Sequence, residues 1–405
     1  MIQMHNRVVI TSMGAVTAAG RGIEPLWNAV CSGKSMIRKL NGKGLAGYIG
    51  AQVDDGVIEE YKGMDRATAL ALVAAGEAVK NSNLPKSECK SVNVFFGSSK
   101  GGINSLLSAY DVFRNGGAKS ILPDLIRKCS YIAPADVIAE QFGFAGMRMG
   151  FVSSCATGIH SIIMGAKFIS EGRGNVVIAG AAEAAITPLM LAGYDSMGAL
   201  SKNTTFPEHS MKPFDRNRDG FAIGEGAGAV MLESLDSARG RNADIYAEIT
   251  GWAYGCDTYS LTAHNPDGNA IAEQIKQALK NARVSPADID YINAHGTATI
   301  QNDFAEVNGI KKAFGNCAEN LHISSTKPVT GHLIGAAGSV EAIITALAMH
   351  DSVIPPTINL CEPDPAFDGF DFTPNGNIEK QIDCSMTLNF GFGGHIGALV
   401  LAKFA

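Results

Sequence analysis

Long apolar runs are missing from this chain of 405 residues. No stretch reaches the eighteen apolar residues of a membrane span. Basic blocks are missing too. Lys and Arg number 33 against 39 Asp and Glu, a formal charge of −6, so a charged nucleic-acid-binding face is not expected. The opening residues, MIQMHNRVVITSMG, lack the continuous apolar core of a signal peptide. The eight cysteines form no Cys-x-x-Cys pair and read as reduced thiols of a cytoplasmic protein. With no His-x-x-x-His either, no metal site is expected. No Gly-x-x-x-x-Gly-Lys loop is present to cradle a phosphate. Charged residues make up only 18% and hydrophobic ones 46%, a composition that excludes a disordered or coiled-coil chain.

What is present is an alternation of short β-branched runs and Ala-rich amphipathic stretches. Strands are expected at Arg7–Thr11, Val92–Phe96, Val176–Ala179, Ala229–Glu233, Ile245–Thr250, Ile289–Asn293, His322–Ser324 and Ala398–Lys403. Helices are expected at Asp65–Asn81, Ala133–Gln141, Gly158–Glu171, Asn269–Ala282, Asp303–Phe314 and Gly338–Met349. Apolar strands separated by helix-length segments predict an α/β fold whose sheets are covered by helices. The chain also repeats itself weakly. Val152-Ser-Ser-Cys-Ala-Thr-Gly158 resembles Ile323-Ser-Ser-Thr-Lys-Pro-Val-Thr-Gly-His332, and Gly224-Glu-Gly-Ala-Gly228 resembles Gly391-Phe-Gly-Gly394. Both glycine stretches run into strands rather than helices, which argues against dinucleotide binding. Two halves are expected, 1–250 and 251–405, with 100–150 an insertion in the first.

Cys155 stands between a strand-like segment and an amphipathic helix with its stripe at Ile159, Ile162, Ile163, Ala166 and Ile169. A helix N-terminus favours the thiolate, the nucleophilic form. A buried, inert cysteine is the alternative. His295 ends a strand and His332 begins a helix, each beside glycines, where open α/β sheets place their sites. Each is alternatively a satisfied core histidine. His5, His209, His264, His322 and His350 read as surface or structural, His160 as packing, and His395 is left open. One thiol and two imidazoles that donate hydrogen bonds to a carbonyl suit acyl transfer followed by stabilisation of an enolate.

These motifs in this order resemble the β-ketoacyl-acyl carrier protein synthases, condensing enzymes of the thiolase superfamily, nearest the synthase II type. The resemblance runs from Val8-Val-Ile-Thr-Ser-Met-Gly14 through Met64-Asp-Arg66, Ser154-Cys-Ala-Thr-Gly158 and Lys212-Pro-Phe-Asp215. It continues in His295-Gly-Thr-Ala-Thr299, Ser325-Thr-Lys-Pro-Val-Thr-Gly-His332, Ile354-Pro-Pro-Thr-Ile-Asn359 and Asn389-Phe-Gly-Phe-Gly-Gly394. It implies a thiolase fold of two duplicated halves packed as αβαβα layers. It implies Cys155 as the acyl-accepting nucleophile, and His295 and His332 as the pair that promotes decarboxylation of malonyl. Lys327 supports the His332 region, Glu306 and Glu341 belong to the surrounding network, and Phe392 is the gate. Thr297 and Thr299 would bind the pantetheine arm, with Gly391 and Gly393 beside the substrate and the Cys155 and Phe392 amides as oxyanion hole. No cofactor is implied beyond the phosphopantetheine of an acyl carrier protein. That carrier is the implied partner, met near Arg66, Arg127, Lys128 and Lys212. The chain would form a homodimer, or a heterodimer with a chain-length-factor subunit.

Three departures stand out. Ile300-Gln-Asn-Asp303 replaces the usual Pro-Leu-Gly-Asp, His395-Ile396 replaces Thr-Asn, and Gly198 replaces an arginine. Gln-Asn-Asp resembles the ketosynthase subunits of type II polyketide systems, so fatty acid and polyketide or polyene synthesis are both open. The alternatives are a thiolase-like acyltransferase, which would need a second cysteine in the last glycine loop, and a non-catalytic chain-length partner, which would lack Cys155.

Overall fold

A computed structural model describes residues 6–404; His5 lies outside them. Ten strands form the main sheet path. The first five are β1 (Val8–Thr17), β2 (Asn93–Gly97), β3 (Arg148–Met149), β4 (Val176–Glu183) and β5 (Gly226–Ser234). The second five are β6 (Ala247–Cys256), β7 (Tyr291–Asn293), β8 (His322–Ser324), β9 (Cys384–Gly391) and β10 (His395–Ala402). The spatial order is β8-β7-β9-β10-β6-β1-β5-β4-β2-β3. Counted from β1 or from β6, each array runs first, fifth, fourth, second, third. The two arrays join where β1 pairs antiparallel with β6 at Val8↔Ile249, Val9↔Glu248 and Ile10↔Ala247. Residue 250 therefore lies inside β6, and the seam of the repeat is the connection 235–246.

Helices make the other layers. On one outer face, α1 (Arg66–Ser82) packs on β1 and β5, beside the insertion helices α2 (Ile103–Gly116) and α3 (Leu125–Cys129) and the core helix α4 (Ala133–Phe142). Asp65 caps α1 by accepting the Ala67 amide at 2.9 Å. The central layer holds α5 (Thr157–Ser170) and, later, α8 (Ala337–Asp351); the other face carries α6 (Asn269–Ala282) and α7 (Ile300–Phe314). The expected apolar stripe of α5 is wholly buried. At Gly158 a Cβ would lie 2.5 Å from the Ser339 amide nitrogen, so only glycine lets α5 and α8 cross this closely.

Two expectations need correction. Residues 100–150 are not all insertion: α2 and α3 bury no residue, but α4 and β3 occupy the places of α7 and β8 in the second half. The strand β9 was not expected at all. Its Ser385, Thr387 and Asn389 break the apolar pattern, yet all three are fully buried. Ser385 donates to Met349 Sδ, and Asn389 to Glu341, both on α8.

Candidate active site

Cys155 sits in a single tight turn, Ser154–Ala156, that leads into α5. Ser154 is left-handed there (φ 52°), and Thr157 Oγ1 braces the turn from the Ser153 amide (2.9 Å) to the Ser154 carbonyl (2.8 Å). The last glycine loop presses on this turn. A Cβ at Gly391 would stand 2.6 Å from the Ser153 carbonyl oxygen, so glycine is required.

His295 follows β7. Glu306 on α7 holds the turn by accepting the amides of His295 (2.7 Å) and Gly296 (2.8 Å). Burial pushes Glu306 up to about 8. His332 is strapped between Ala222 and Gly224, its amide donating at 2.8 Å and its carbonyl accepting at 2.8 Å. The two rings stand 5.4 Å apart, centroid to centroid, at 83°. Left-handed Ala298 (φ 65°) and Ile334 (φ 48°) flank them. With Ser154, three non-glycine residues in this costly conformation surround one site.

Hydrogen bonds assign the tautomers. The Ile334 amide donates to His332 Nδ1 at 3.3 Å, and Lys327 Nζ donates to His295 Nδ1 at 3.3 Å. Each ring therefore carries its proton on Nε2, ready to donate. Burial first, then Lys327, holds both imidazoles well below their ordinary value, so both are neutral.

Lys327 is itself fully buried and bonds Glu341 Oε1 at 2.5 Å, while Asn389 donates to Oε2 at 2.5 Å. It does not line the cavity, so it is a positioning residue rather than a group that touches substrate. Lys327→Met should strand the Glu341 carboxylate. We expect a loss of ~3–5 kcal/mol in urea unfolding, largely recovered in the double variant with Glu341→Gln. A loss below about 1 kcal/mol would show that the pair contributes little.

The cavity measures about 310 Å³ and is lined by Cys155, His295, His332, Thr297, Thr299 and Phe392, with Gly391 at its edge. The Thr297 and Thr299 hydroxyls bond each other at 2.9 Å. Gly393 does not line it. It is exposed, and its amide is spent on the Leu261 carbonyl at 2.8 Å. Sequence reasoning missed Tyr194, Phe221 and His264, which also line the cavity; His264, expected at the surface or in a structural role, is buried. Gln301 and Asn302 line it as well, and their departure from the family pattern was the available signal.

The surroundings of Cys155 pull its thiol in two directions. Burial pushes Cys155 up to about 11, against the pull of Lys100 and Lys327. The α5 N-terminus works the other way but is worth at most ~2 kcal/mol. Three of the four cations expected at the carrier entrance are ion-paired within the chain. Arg66 holds Glu225 at 2.6 Å and Asp55 at 2.6 Å, Arg127 faces Glu140 at 3.4 Å, and Lys128 faces Asp124 at 2.9 Å.

Comparison with known proteins matches residues 5–238 to the N-terminal domain of β-ketoacyl synthases and 246–361 to their C-terminal domain. The chain belongs to the β-ketoacyl synthase family. The family's condensing acyltransferases named 3-oxoacyl-acyl-carrier-protein synthase 2 include that of Coxiella burnetii, 37% identical over 98% of both chains. That of Staphylococcus aureus (strain COL) is 36% identical over 100% of both. Among solved structures, a type II polyketide acyl-carrier protein in complex with its ketosynthase (AntDE:AntF) matches with a TM-score of 0.93. That match has 31% identity and covers 99% of this chain and 100% of the other. The ishigamide ketosynthase/chain length factor matches at 0.90 with 29% identity, over 99% and 100%. The fold of this β-ketoacyl synthase is thus the thiolase-like α/β fold. No helix among the described residues is long and apolar enough to cross a membrane.

Proposed function

We propose that this β-ketoacyl synthase lengthens an acyl chain held on Cys155 by decarboxylative condensation with malonyl-acyl carrier protein, in fatty acid or polyketide synthesis. One observation carries the assignment of roles. A buried thiol and two neutral imidazoles that donate from Nε2 line a single cavity.

In the first stage Cys155 Sγ attacks the thioester carbonyl of an acyl carrier protein. The carrier's sulfur leaves and takes up the proton that Cys155 gives up. The Cys155 and Phe392 amides suit the oxyanion, since no acceptor among the described residues occupies either of them. In the second stage malonyl-carrier protein enters. Its C–C bond to the carboxylate breaks, CO₂ departs, and the electron pair forms an enolate whose oxygen accepts from His295 and His332. The enolate carbon attacks the acyl-cysteine carbonyl. The C–S bond breaks, Cys155 is reprotonated from solvent, and a 3-ketoacyl thioester leaves on the carrier. Thr297 and Thr299 hold the pantetheine arm, and Phe392 screens the acyl-cysteine between stages. The chemistry needs no cofactor beyond that arm.

The polar Gln301 and Asn302 in the cavity wall favour oxygenated or unsaturated chains, the polyketide or polyene reading. Exposed Leu106, Tyr110, Phe113 and Ile126 on α2 and α3 support a second subunit, identical or a chain-length factor, packed on the insertion. The test is intact mass after mixing with saturated, polyene and poly-β-keto acyl-carrier proteins. Loading of saturated chains at Cys155 supports fatty acid elongation. Loading of only unsaturated or keto chains supports the polyketide reading, and no Cys155-dependent mass shift with any donor overturns both.

A further inference from the structure

The cavity has a third histidine that this chemistry leaves unused. His264 is only 7% exposed, yet neither of its ring nitrogens makes a hydrogen bond to the described residues, and Nδ1 is buried. Asp257 Oδ2 stands 3.7 Å from Nδ1, within ion-pair range but too far for a hydrogen bond. That carboxylate already accepts the amides of Tyr259 (3.0 Å) and Asn265 (2.8 Å). An imidazole buried without partners is uncommon and points to a ligand that completes it.

The neighbouring rings locate His264. Phe390 meets both rings edge-on, with its centroid 5.4 Å from that of His264 and 5.4 Å from that of His295. His332 lies a further 5.4 Å from His295. Among the described residues His264 makes no ring contact with His295 or His332, so a substrate atom other than the thioester oxygen is open to it. Burial holds this imidazole below its ordinary value, with His395 adding to the shift and Asp257 opposing it, so the resting ring is neutral and an arriving anion adds to the pull of Asp257.

We propose that His264 is a specificity-determining residue that binds the carboxylate of the malonyl group. The inference rests on the condensation reading above, in which that carboxylate is the one anion the reacting acyl groups bring into the cavity. The carboxylate gives Nε2 its missing partner and draws a proton onto the ring, which closes the pair with Asp257. The contact exists before CO₂ departs and is lost with it. Such a contact tightens substrate binding without lowering the barrier, so it shows in KM rather than in kcat.

The test compares the full chain with His264→Phe, which keeps the packing on Phe390, and His264→Gln, which keeps a hydrogen-bond donor. Loading of Cys155 from a saturated acyl-carrier protein is followed by intact mass. CO₂ release from malonyl-carrier protein is followed on the preloaded enzyme. In His264→Phe the KM for malonyl-carrier protein should rise about tenfold or more, and His264→Gln should recover most of it. The KM for the acyl donor and the kcat should change much less. An equal rise in both KM values would put the contact on the pantetheine arm and overturn the proposal. A wild-type KM for malonyl-carrier protein in His264→Phe would leave His264 a packing role and overturn it too. If the unaltered chain itself fails to load, the condensation reading is what fails.

Discussion

Cys155→Ala is expected to end acyl loading outright and to lower condensation at least about a thousand-fold. No other thiol can stand in, because Cys155 is the cysteine that lines the cavity with both imidazoles. Cys384, the other buried cysteine, begins β9 far from the Gly391 end that touches the Cys155 turn. Intact mass after mixing with acyl-carrier protein reads the outcome, and a persistent acyl adduct on the variant would remove Cys155 from the reaction. The wild-type thiol carries a second expectation. Because burial holds it up to about 11, the thiol form dominates at neutral pH. Alkylation by iodoacetamide should rise about tenfold per pH unit past the ordinary thiol range near ~8.5. A plateau reached below that range would mean that the helix N-terminus and the two lysines outweigh burial.

Removing either imidazole is the second large effect. His295→Ala and His332→Ala should still load an acyl group, since the attacking sulfur remains, but each should lose roughly 10²–10³-fold in decarboxylation. The reason is electrostatic. Two neutral N–H donors, on rings whose centroids lie 5.4 Å apart, serve one developing enolate oxygen in a buried site, and water cannot replace either without reorganising. Radiolabelled CO₂ release from malonyl-carrier protein measures the loss, with acyl loading as the internal control. Release within about threefold of wild type in either variant is incompatible with a donor role of this size. The direction of the pH effect follows from the same burial. Both folded-state values lie well below ~6.5, so the rings stay neutral through the neutral range, and decarboxylation should show no imidazole titration there.

Much of this site was legible because its signals are local. Cys155 precedes a helix whose apolar stripe has a 3.6-residue period, and His295 and His332 each sit beside glycines at the end of a strand or turn. The repeated glycine loops before β5 and β10 were legible for the same reason: only a few residue types tolerate such turns. The polar strand β9 was not, because its Ser385 and Asn389 are satisfied by α8, a partner that no window of sequence contains. The burial of His264 was not legible for the matching reason. Its surroundings in sequence, Leu261 to Asn265, are ordinary polar loop, and only the packing of that loop against Phe390 and Asp257 buries the ring.

The sequence by itself determined the fold class and singled out the weak repeat and Cys155, His295 and His332, which line one cavity, since periodicity, glycine placement and motif order are properties of the chain. The tertiary structure decided which charges these groups carry. Packing α5 against α8 brings the thiol of one half to the imidazoles of the other and removes water from all three. Their protonation then follows from desolvation and from Lys327, held between Glu341 and His295. Desolvation depends on everything that surrounds a group at once, and no run of neighbouring residues encodes it.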